Sequence, residues 1–184
     1  MPRVVLTGGP GAGKTALLSE LGTRGYATVD ESARAIIAER VARGLSARPE
    51  PPIFAREILR LDVERYKRLA PGPEWTFFDR GVLDALALLQ EVDPLPMEDL
   101  RRLLSAYPFH ARVFILPPWE SIYTNDAERD QTFAEAVHVH GKLQRWYQSC
   151  GYRVHEVPRL SVQQRADHVL QTLSASKLAP TRTK

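Results

Sequence analysis

The amino-acid sequence predicts an α/β fold in which helices cover both faces of a mainly parallel, five-stranded sheet. Short apolar runs of three to six residues, the length of buried strands, alternate along the chain with longer segments of helical periodicity. The 184 residues, 43% of them hydrophobic, suffice to bury the core of one domain. Strands that alternate with helices pair in parallel, because each crossover helix returns the chain to the same edge of the sheet.

Each element is predicted from its own pattern. The strands are expected at 4–6, 26–29, 75–78, 112–116 and 152–157. Helices are expected at 15–22, from 32 to about 43, over a long segment closed by Pro71, at 82–90, through 100–104, over about four to five turns ending near Cys150, and at 162–173. The proline-rich segment 45–52 is predicted to be an exposed connector. The long helix after it carries an apolar stripe that one arginine interrupts: Phe54, Ile58, Leu61, Arg65 and Leu69.

Charge and cysteine content exclude several classes of protein. The 25 basic and 22 acidic residues are mixed along the chain and leave a net charge of +3, so no basic stripe for nucleic acid is present. The one cysteine, Cys150, allows neither an internal disulfide nor a cysteine-based metal site. We expect no signal peptide and no transmembrane segment, and therefore a cytoplasmic protein. Residues 1–176 are predicted to form a single domain and 177–184 a flexible tail.

The most specific motif runs from Gly8 to Thr15 and reads G-G-P-G-A-G-K-T. It lies between the first strand and the first helix, where a phosphate-binding loop places its backbone amides around an anion. Lys14 is expected to reach the β- and γ-phosphates of a nucleoside triphosphate, and the Thr15 hydroxyl to hold Mg²⁺. A glycine-rich turn with nothing bound is the alternative. The residues expected to contact the nucleotide are Gly9, Pro10, Gly11, Ala12, Gly13, Lys14, Thr15 and Ala16.

Charged residues directly follow two further strands, and the carboxyl ends of parallel strands meet at one edge of a sheet. Asp79 is the candidate second ligand of Mg²⁺, although it could instead cap the helix that starts at Val82. Arg80 beside it could neutralise phosphate or form a surface salt bridge. Glu31 is the candidate base for an acceptor hydroxyl, and Asp30 competes for that role. Both carboxylates could instead complement the dipole of the next helix.

Three arginines in other segments complete the candidate site. Arg34, in the second helix, could contact an anionic or polar acceptor or be a solvated charge. Arg48 lies in the proline-rich connector, which could line the acceptor site. The polar segment 123–129 could close as a lid that brings Arg129 over the transferring phosphate, which makes Arg129 a candidate for catalysis and for nucleotide binding. A solvated helix start capped by Asp126 is the alternative for that segment.

Four motifs in a fixed order carry a resemblance to a known family. They are L-T-G-G-P-G-A-G-K-T at 6–15, D-E-S-A-R at 30–34, F-F-D-R-G at 77–81 and Y-T-N-D-A-E-R at 123–129. V-F-I-L-P-P-W at 113–119 also matches, as does the C-terminal pattern of Y-R-V-H-E-V-P from 152 and Val162 to Arg165, where nucleoside kinase relatives place the adenine-contacting turn. The chain resembles the NadR-like P-loop NTPase family, which is related to P-loop nucleoside kinases. Its AAA-type domain is shared by bacterial nicotinamide riboside kinases and the animal TRP-translocation-defect protein. The resemblance implies the three-layer P-loop NTPase fold.

The resemblance also implies roles for individual residues. It assigns Lys14, Thr15 and Asp79 to the nucleotide and Mg²⁺. It places Glu31 near the acceptor and Arg129 on the lid.

The family does not define one reaction. Its members include kinases, a GTP- and phosphatidic-acid-binding protein and many ATPases, so a phospholipid partner enters by this analogy alone. Asp30 stands where many relatives have proline before the glutamate, and this departure leaves the base open between Asp30, Glu31 and Asp79.

Two functions from different classes would use the same residues. The first is a kinase that transfers the γ-phosphate of ATP, with Mg²⁺, to a hydroxyl of a small molecule. The second is a nucleotide-dependent switch, or a slow ATPase or GTPase, that acts through a partner or lipid. A concave, partly polar cavity beside the γ-phosphate would favour the kinase, since a switch needs room only for water. The sequence contains no Asn-Lys-x-Asp motif for guanine recognition, which favours ATP and leaves GTP open.

Overall fold

The computed structural model describes residues 3–69, 75–123 and 132–177. Its strands are β1 (Arg3–Gly8), β2 (Ala27–Val29), β3 (Thr76–Asp79), β4 (Arg112–Leu116) and β5 (Arg153–Glu156). They form a single five-stranded sheet in the order β2-β3-β1-β4-β5, and each neighbouring pair is parallel. The predicted α/β fold with a parallel five-stranded sheet is confirmed.

Helices connect the strands in the alternation that the sequence predicts. In the described ranges they are α1 (Lys14–Thr23), α2 (Ser32–Ala42), α3 (Pro51–Arg68), α4 (Val82–Val92), α5 (Met97–Ala106), α6 (Phe133–Ser149) and α7 (Val162–Lys177), with a short 3₁₀ turn at Glu120–Ile122. Within those same ranges no helix combines the length and the apolar character needed to cross a membrane.

The sheet separates two apolar cores, because successive residues of a strand point to opposite faces. Val4 and Leu6 of β1 face a core that α1 and α7 close, with Leu17 and Val169 among its buried members. Val5 faces the other core, which residues of α3, α4, α5 and α6 fill. The result is three layers, with helices on both faces of the sheet as predicted.

The beginning of α3 differs from the prediction. Pro51 and Pro52, expected in the exposed connector, form the first turn of the helix. Proline is well tolerated there, because the first amides of a helix have no partner within the helix. The connector therefore ends at Glu50.

The buried face of α3 also differs from the predicted stripe. The residues it buries are Ala55, Ile58, Asp62 and Tyr66. A carboxylate thus occupies the middle of a face that pattern reading predicts to be apolar.

The carboxyl ends of the strands meet at one edge of the sheet. β1 lies in the middle, between β3 and β4, so the Gly8 end of β1 is flanked by Asp79 of β3 and Leu116 of β4. Connections leave the sheet in opposite directions on the two sides of β1, which creates the crevice where α/β proteins bind ligands. The glycine-rich loop after β1, Glu31 after β2 and Asp79 at the end of β3 all lie at this edge of the sheet.

Candidate active site

The glycine-rich loop joins β1 to α1, and Gly13 is the residue that precedes the helix. Gly13 adopts a left-handed conformation with φ of 81°. A Cβ on Gly13 would lie 2.8 Å from Nη1 of Arg165, and a Cβ on Gly9 would lie 2.6 Å from the carbonyl oxygen of Ala136. Glycine is needed at Gly9 because a Cβ would collide with the backbone of α6, and at Gly13 because of its left-handed φ. The first amides of α1 point out of this loop, as an anion site requires.

Lys14 is buried at the start of α1, with 6% of its surface exposed. Its Nζ donates hydrogen bonds to the carbonyl oxygens of Gly8, at 3.2 Å, and Gly9, at 2.9 Å. Burial lowers the pKa of Lys14, and Arg80 lowers it further, while nearby carboxylates oppose the shift. The ammonium group is thus held directly beside the loop that is predicted to bind phosphate.

Glu31 follows β2 at the position before α2, and its carboxylate faces two guanidinium groups. Oε1 lies 3.1 Å from Nε of Arg80, and Oε2 lies 3.3 Å from Nε of Arg34. Burial raises the pKa of Glu31, but the charges of Arg80, Lys14 and Arg34 outweigh it, so the net shift is downward. The competing Asp30 is exposed to solvent. The geometry therefore favours Glu31 over Asp30 as the carboxylate of the site.

Asp79 ends β3 and is buried, with 4% of its surface exposed. Among the described residues, its Oδ1 has no hydrogen-bond partner. Burial raises the pKa of Asp79 to about 6, and Glu31 raises it as well, against the effect of Lys14 and two arginines. The capping alternative is not what the structure shows, because Gly81 is the N-cap of α4. A buried carboxylate oxygen without a partner is suited to a cation, which would hold it ionised.

Arg80 is held in a conformation that is rare for a residue with a side chain, with φ of 64°. Its backbone N–H donates to the carbonyl of Leu6 at 2.9 Å, and its Nη2 donates to the carbonyl of Gly8 at 3.1 Å. The turn after β3 is thereby fastened to β1. This turn directs the Arg80 guanidinium to the crevice. There the guanidinium pairs with Glu31, and among the described residues the predicted alternative of a surface salt bridge is not observed.

Asp84 is a further buried carboxylate to which the sequence pattern assigned no role. Its two oxygens accept hydrogen bonds from the hydroxyls of Thr7 and Tyr147, each at 2.5 Å. Burial raises the pKa of Asp84 despite these bonds. The signal in the sequence was weak: an aspartate in the first turn of a helix five residues after Asp79.

Asp62 of α3 anchors the segment that carries Glu31. The Ser32 hydroxyl donates to Oδ1 of Asp62 at 2.5 Å, and both groups are buried. Nη1 of Arg65 donates to Ser32 Oγ at 3.2 Å and to the carbonyl oxygen of Asp30. The residues on both sides of Glu31 are therefore tied to α3, which restricts where the Glu31 carboxylate can point.

Asp62 gives a testable prediction about stability. Burial raises its pKa from 3.8 to about 7, against the hydrogen bond from Ser32. An acid with a raised pKa binds more protons when folded, so its contribution to stability falls as pH rises from about 4 to about 7. Asparagine does not titrate, so Asp62→Asn lacks this loss. The unfolding free energy of Asp62→Asn minus that of the wild type should therefore increase by up to about 2.5 kcal/mol between about pH 5 and about pH 8.

Urea denaturation at the two pH values measures this difference. Asp99→Asn is the matched control, because Asp99 is 38% exposed and pairs with Arg102 on the surface of α5. Its difference from the wild type should be nearly the same at both pH values. If the difference in unfolding free energy between Asp62→Asn and the wild type were also the same at both pH values, the raised pKa of Asp62 would be contradicted.

Two adjoining cavities open at the crevice. The smaller, about 180 Å³, is lined by the loop and its neighbours: Gly11, Ala12, Gly13, Lys14, Thr15, Glu31, Arg34 and Ile122. The larger, about 820 Å³, contains all four predicted acceptor-binding residues: Glu31, Arg34, Arg48 and Arg80. Its wall also includes Pro10, Asp62, Asp84 and an apolar part formed by Ile37, Phe54, Ile58, Leu88, Leu143 and Trp146. Lys14, Glu31 and Arg34 belong to both cavities.

Three predicted residues do not line either cavity. Gly9 contributes its carbonyl oxygen to Lys14, Ala16 is exposed in the first turn of α1, and Asp79 is buried beneath the crevice. The predicted lid arginine, Arg129, lies outside the described residues. Tyr123, the first residue of that segment, is described, and its ring lies against Gly11 of the loop.

Comparison with known proteins agrees with this geometry. Residues 3–165 match a family described as an AAA domain. The chain belongs to this AAA domain family. Among curated proteins, none matches the chain significantly.

Solved structures of kinases share the fold of this AAA domain. Deoxyadenosine kinase from M. mycoides matches with a TM-score of 0.67 and 14% identity, over 95% of this chain and 99% of that one. Shikimate kinase from Acinetobacter baumannii matches with a TM-score of 0.60 and 17% identity, over 97% and 96% of the two chains. The NadR protein in complex with NR matches with a TM-score of 0.69 and 17% identity, over the whole of this chain and 54% of NadR. The chain therefore has the P-loop nucleotide-binding fold of these kinases, and the resemblance to a NadR-like P-loop family is confirmed.

Proposed function

We propose that the protein is a kinase that transfers the γ-phosphate of ATP to a hydroxyl group of a small molecule. The observation that carries the proposal is the cavity of about 820 Å³, which shares Lys14, Glu31 and Arg34 with the smaller cavity at the phosphate-binding loop. Its size is that of sites for small organic ligands. A switch that only hydrolyses its nucleotide has no use for a second site of this volume.

The loop fits the phosphates of a nucleotide. Its amides and the N-terminus of α1 are suited to anions, and Lys14 adds a buried positive charge. ATP is favoured over GTP because the guanine-recognition motif is absent from the sequence.

The residues present also fit Mg²⁺. Asp79 offers a buried oxygen without a partner among the described residues, and Thr15 offers an exposed hydroxyl in the smaller cavity. Oxygen ligands of these two kinds are the ones that Mg²⁺ takes beside nucleotide phosphates. When bound, Mg²⁺ would neutralise charge on the phosphates.

The proposed base for the acceptor hydroxyl is Glu31. In the transfer, the acceptor oxygen bonds to the γ-phosphorus as the bond to the β,γ-bridging oxygen breaks, ADP leaves, and the hydroxyl proton passes to the Glu31 carboxylate. The lowered pKa keeps Glu31 ionised at neutral pH, although it also makes it a weak base. That is sufficient for phosphoryl transfer, in which orienting the nucleophile matters more than removing its proton early.

The cations around Glu31 serve the phosphoryl group. Lys14 and Arg34 line both cavities, and Arg80 lines the larger one. In the proposed transfer, charge moves from the γ-phosphate to the leaving ADP beside these three cations. Fixed cations at that position stabilise the transition state more than the ground state. An arginine of the lid, Arg129, is proposed to join them on closure.

A screen of hydroxyl-bearing metabolites tests the function. With ATP and Mg²⁺, we expect at least one acceptor to be phosphorylated. ADP should then form at least about tenfold faster than without the acceptor, because a bound acceptor holds its hydroxyl in position against the γ-phosphate and free water is not held there. The measurement is product mass together with ADP release, and the reaction without acceptor is the control. Steady ADP release that no acceptor stimulates would contradict the kinase and favour a hydrolase or switch.

A further inference from the structure

A second buried cation lies against the phosphate-binding loop at Gly13, whereas Lys14 bonds to the loop at Gly8 and Gly9. Arg165 is in the first turn of α7, and only 5% of its surface is exposed. Nη1 and Nη2 lie 2.8 Å and 3.5 Å from the position that a Cβ on Gly13 would occupy. The guanidinium carbon lies 5.7 Å from the centre of the Trp119 ring. The guanidinium is thus held between the loop and an aromatic ring.

Arg165 differs from the other cations of the site, because the part of the chain that the structure describes offers it no counter-charge. Arg34 and Arg80 pair with Glu31, and Lys14 donates to two loop carbonyls. Within the ranges that the structure describes, the Arg165 side chain forms no hydrogen bond or ion pair, and its Nε is buried without a partner. Burial alone lowers the pKa of Arg165, with no carboxylate to oppose the effect.

A buried, unpaired charge is costly, and its removal would ordinarily stabilise a protein. Such a charge at the edge of an anion site gains its partner when the anion binds. The guanidinium of arginine presents several planar N–H donors, which match the oxygens of a phosphate. Gly13 is the N-cap of α1, so the group that it contacts lies beside the amides that would hold a phosphate.

We propose that Arg165 is a phosphate-binding residue that pairs with the phosphate chain of the nucleotide from the α7 side of the loop. The assignment rests on the proposed function, since it requires a nucleotide on the loop. Trp119 orients the guanidinium through a cation–π contact and keeps water from it. The phosphate chain is then held by both Lys14 and Arg165.

Calorimetric titration with ADP and with inorganic tripolyphosphate tests the assignment. Tripolyphosphate has the phosphate chain without a base, so it isolates the phosphate contact. Arg165→Met should lower the affinity for both ligands by about 10- to 100-fold, the loss expected for charged hydrogen bonds. Arg165→Lys should lose less affinity than Arg165→Met, because lysine keeps the positive charge but not the planar N–H donors. Arg159→Met is the matched control, because exposed Arg159 donates to the carbonyl of Pro118 and should leave both affinities unchanged.

Thermal unfolding without ligand separates binding from a merely structural role. Arg165→Met should unfold at the wild-type temperature or higher, because it removes an unpaired buried charge. Unchanged affinity of Arg165→Met for both ligands would overturn the assignment. A loss of affinity for ADP alone would also overturn it, because it would indicate that Arg165 stacks on the base. If the wild type itself bound neither ligand, the proposed function would fail together with this inference.

Discussion

Replacing Glu31 with glutamine is expected to lower kcat by about 10²- to 10⁴-fold, the contribution of a positioned general base. Glutamine keeps the shape of the side chain but cannot take up the acceptor proton. Affinity for ADP should change little, because a carboxylate is not a ligand for phosphate and the Glu31 carboxylate pairs with Arg34 and Arg80. The loss should therefore fall on kcat with acceptor and far less on nucleotide binding.

The matched control for this change is Asp30→Asn. Asp30 is the adjacent carboxylate in the sequence, but it is exposed. Its replacement should leave kcat within about twofold, because exposed charges outside a site contribute little. Steady-state kinetics with the acceptor, together with calorimetry for ADP, measure both effects. Wild-type turnover in Glu31→Gln would move the role of base to Asp30 or Asp79.

The parts of the site that lie next to each other in sequence could be predicted from it. The loop from Gly8 to Thr15 is defined by glycine spacing between a strand and a helix, both of which are local patterns. Glu31 and Asp79 follow strands, and parallel topology alone brings strand ends together. The structure places all three at one edge of the sheet.

The parts that depend on packing between distant segments could not be predicted. Asp84 bonds to Thr7 and Tyr147, which lie 77 and 63 positions away, and Asp62 bonds to Ser32 across 30 positions. No local period marks such partners. The apolar stripe predicted on α3 was wrong for the same reason. Helical periodicity predicts apolar side chains at buried positions, but a carboxylate with a hydroxyl partner can also be buried there.

The role of Arg80 depended on backbone conformation. The sequence left it open between the phosphate and a surface salt bridge. Its left-handed φ of 64° turns the side chain back over the loop, toward Gly8 and Glu31. A left-handed backbone conformation is uncommon for residues other than glycine, so it is hard to predict from the sequence.

Replacing Lys14 with alanine is expected to abolish detectable transfer and to weaken triphosphate binding by more than about tenfold. Lys14 supplies the positive charge nearest the loop, and charged hydrogen bonds to phosphate are among the stronger ones. Its loss should also raise the pKa values of Glu31 and Asp79, because Lys14 lowers both. Transfer assays and ATP titration measure these effects, with Lys67→Ala on the exposed surface of α3 as the control. Unchanged turnover in Lys14→Ala would contradict the phosphate-binding loop itself, and with it every role assigned around the crevice.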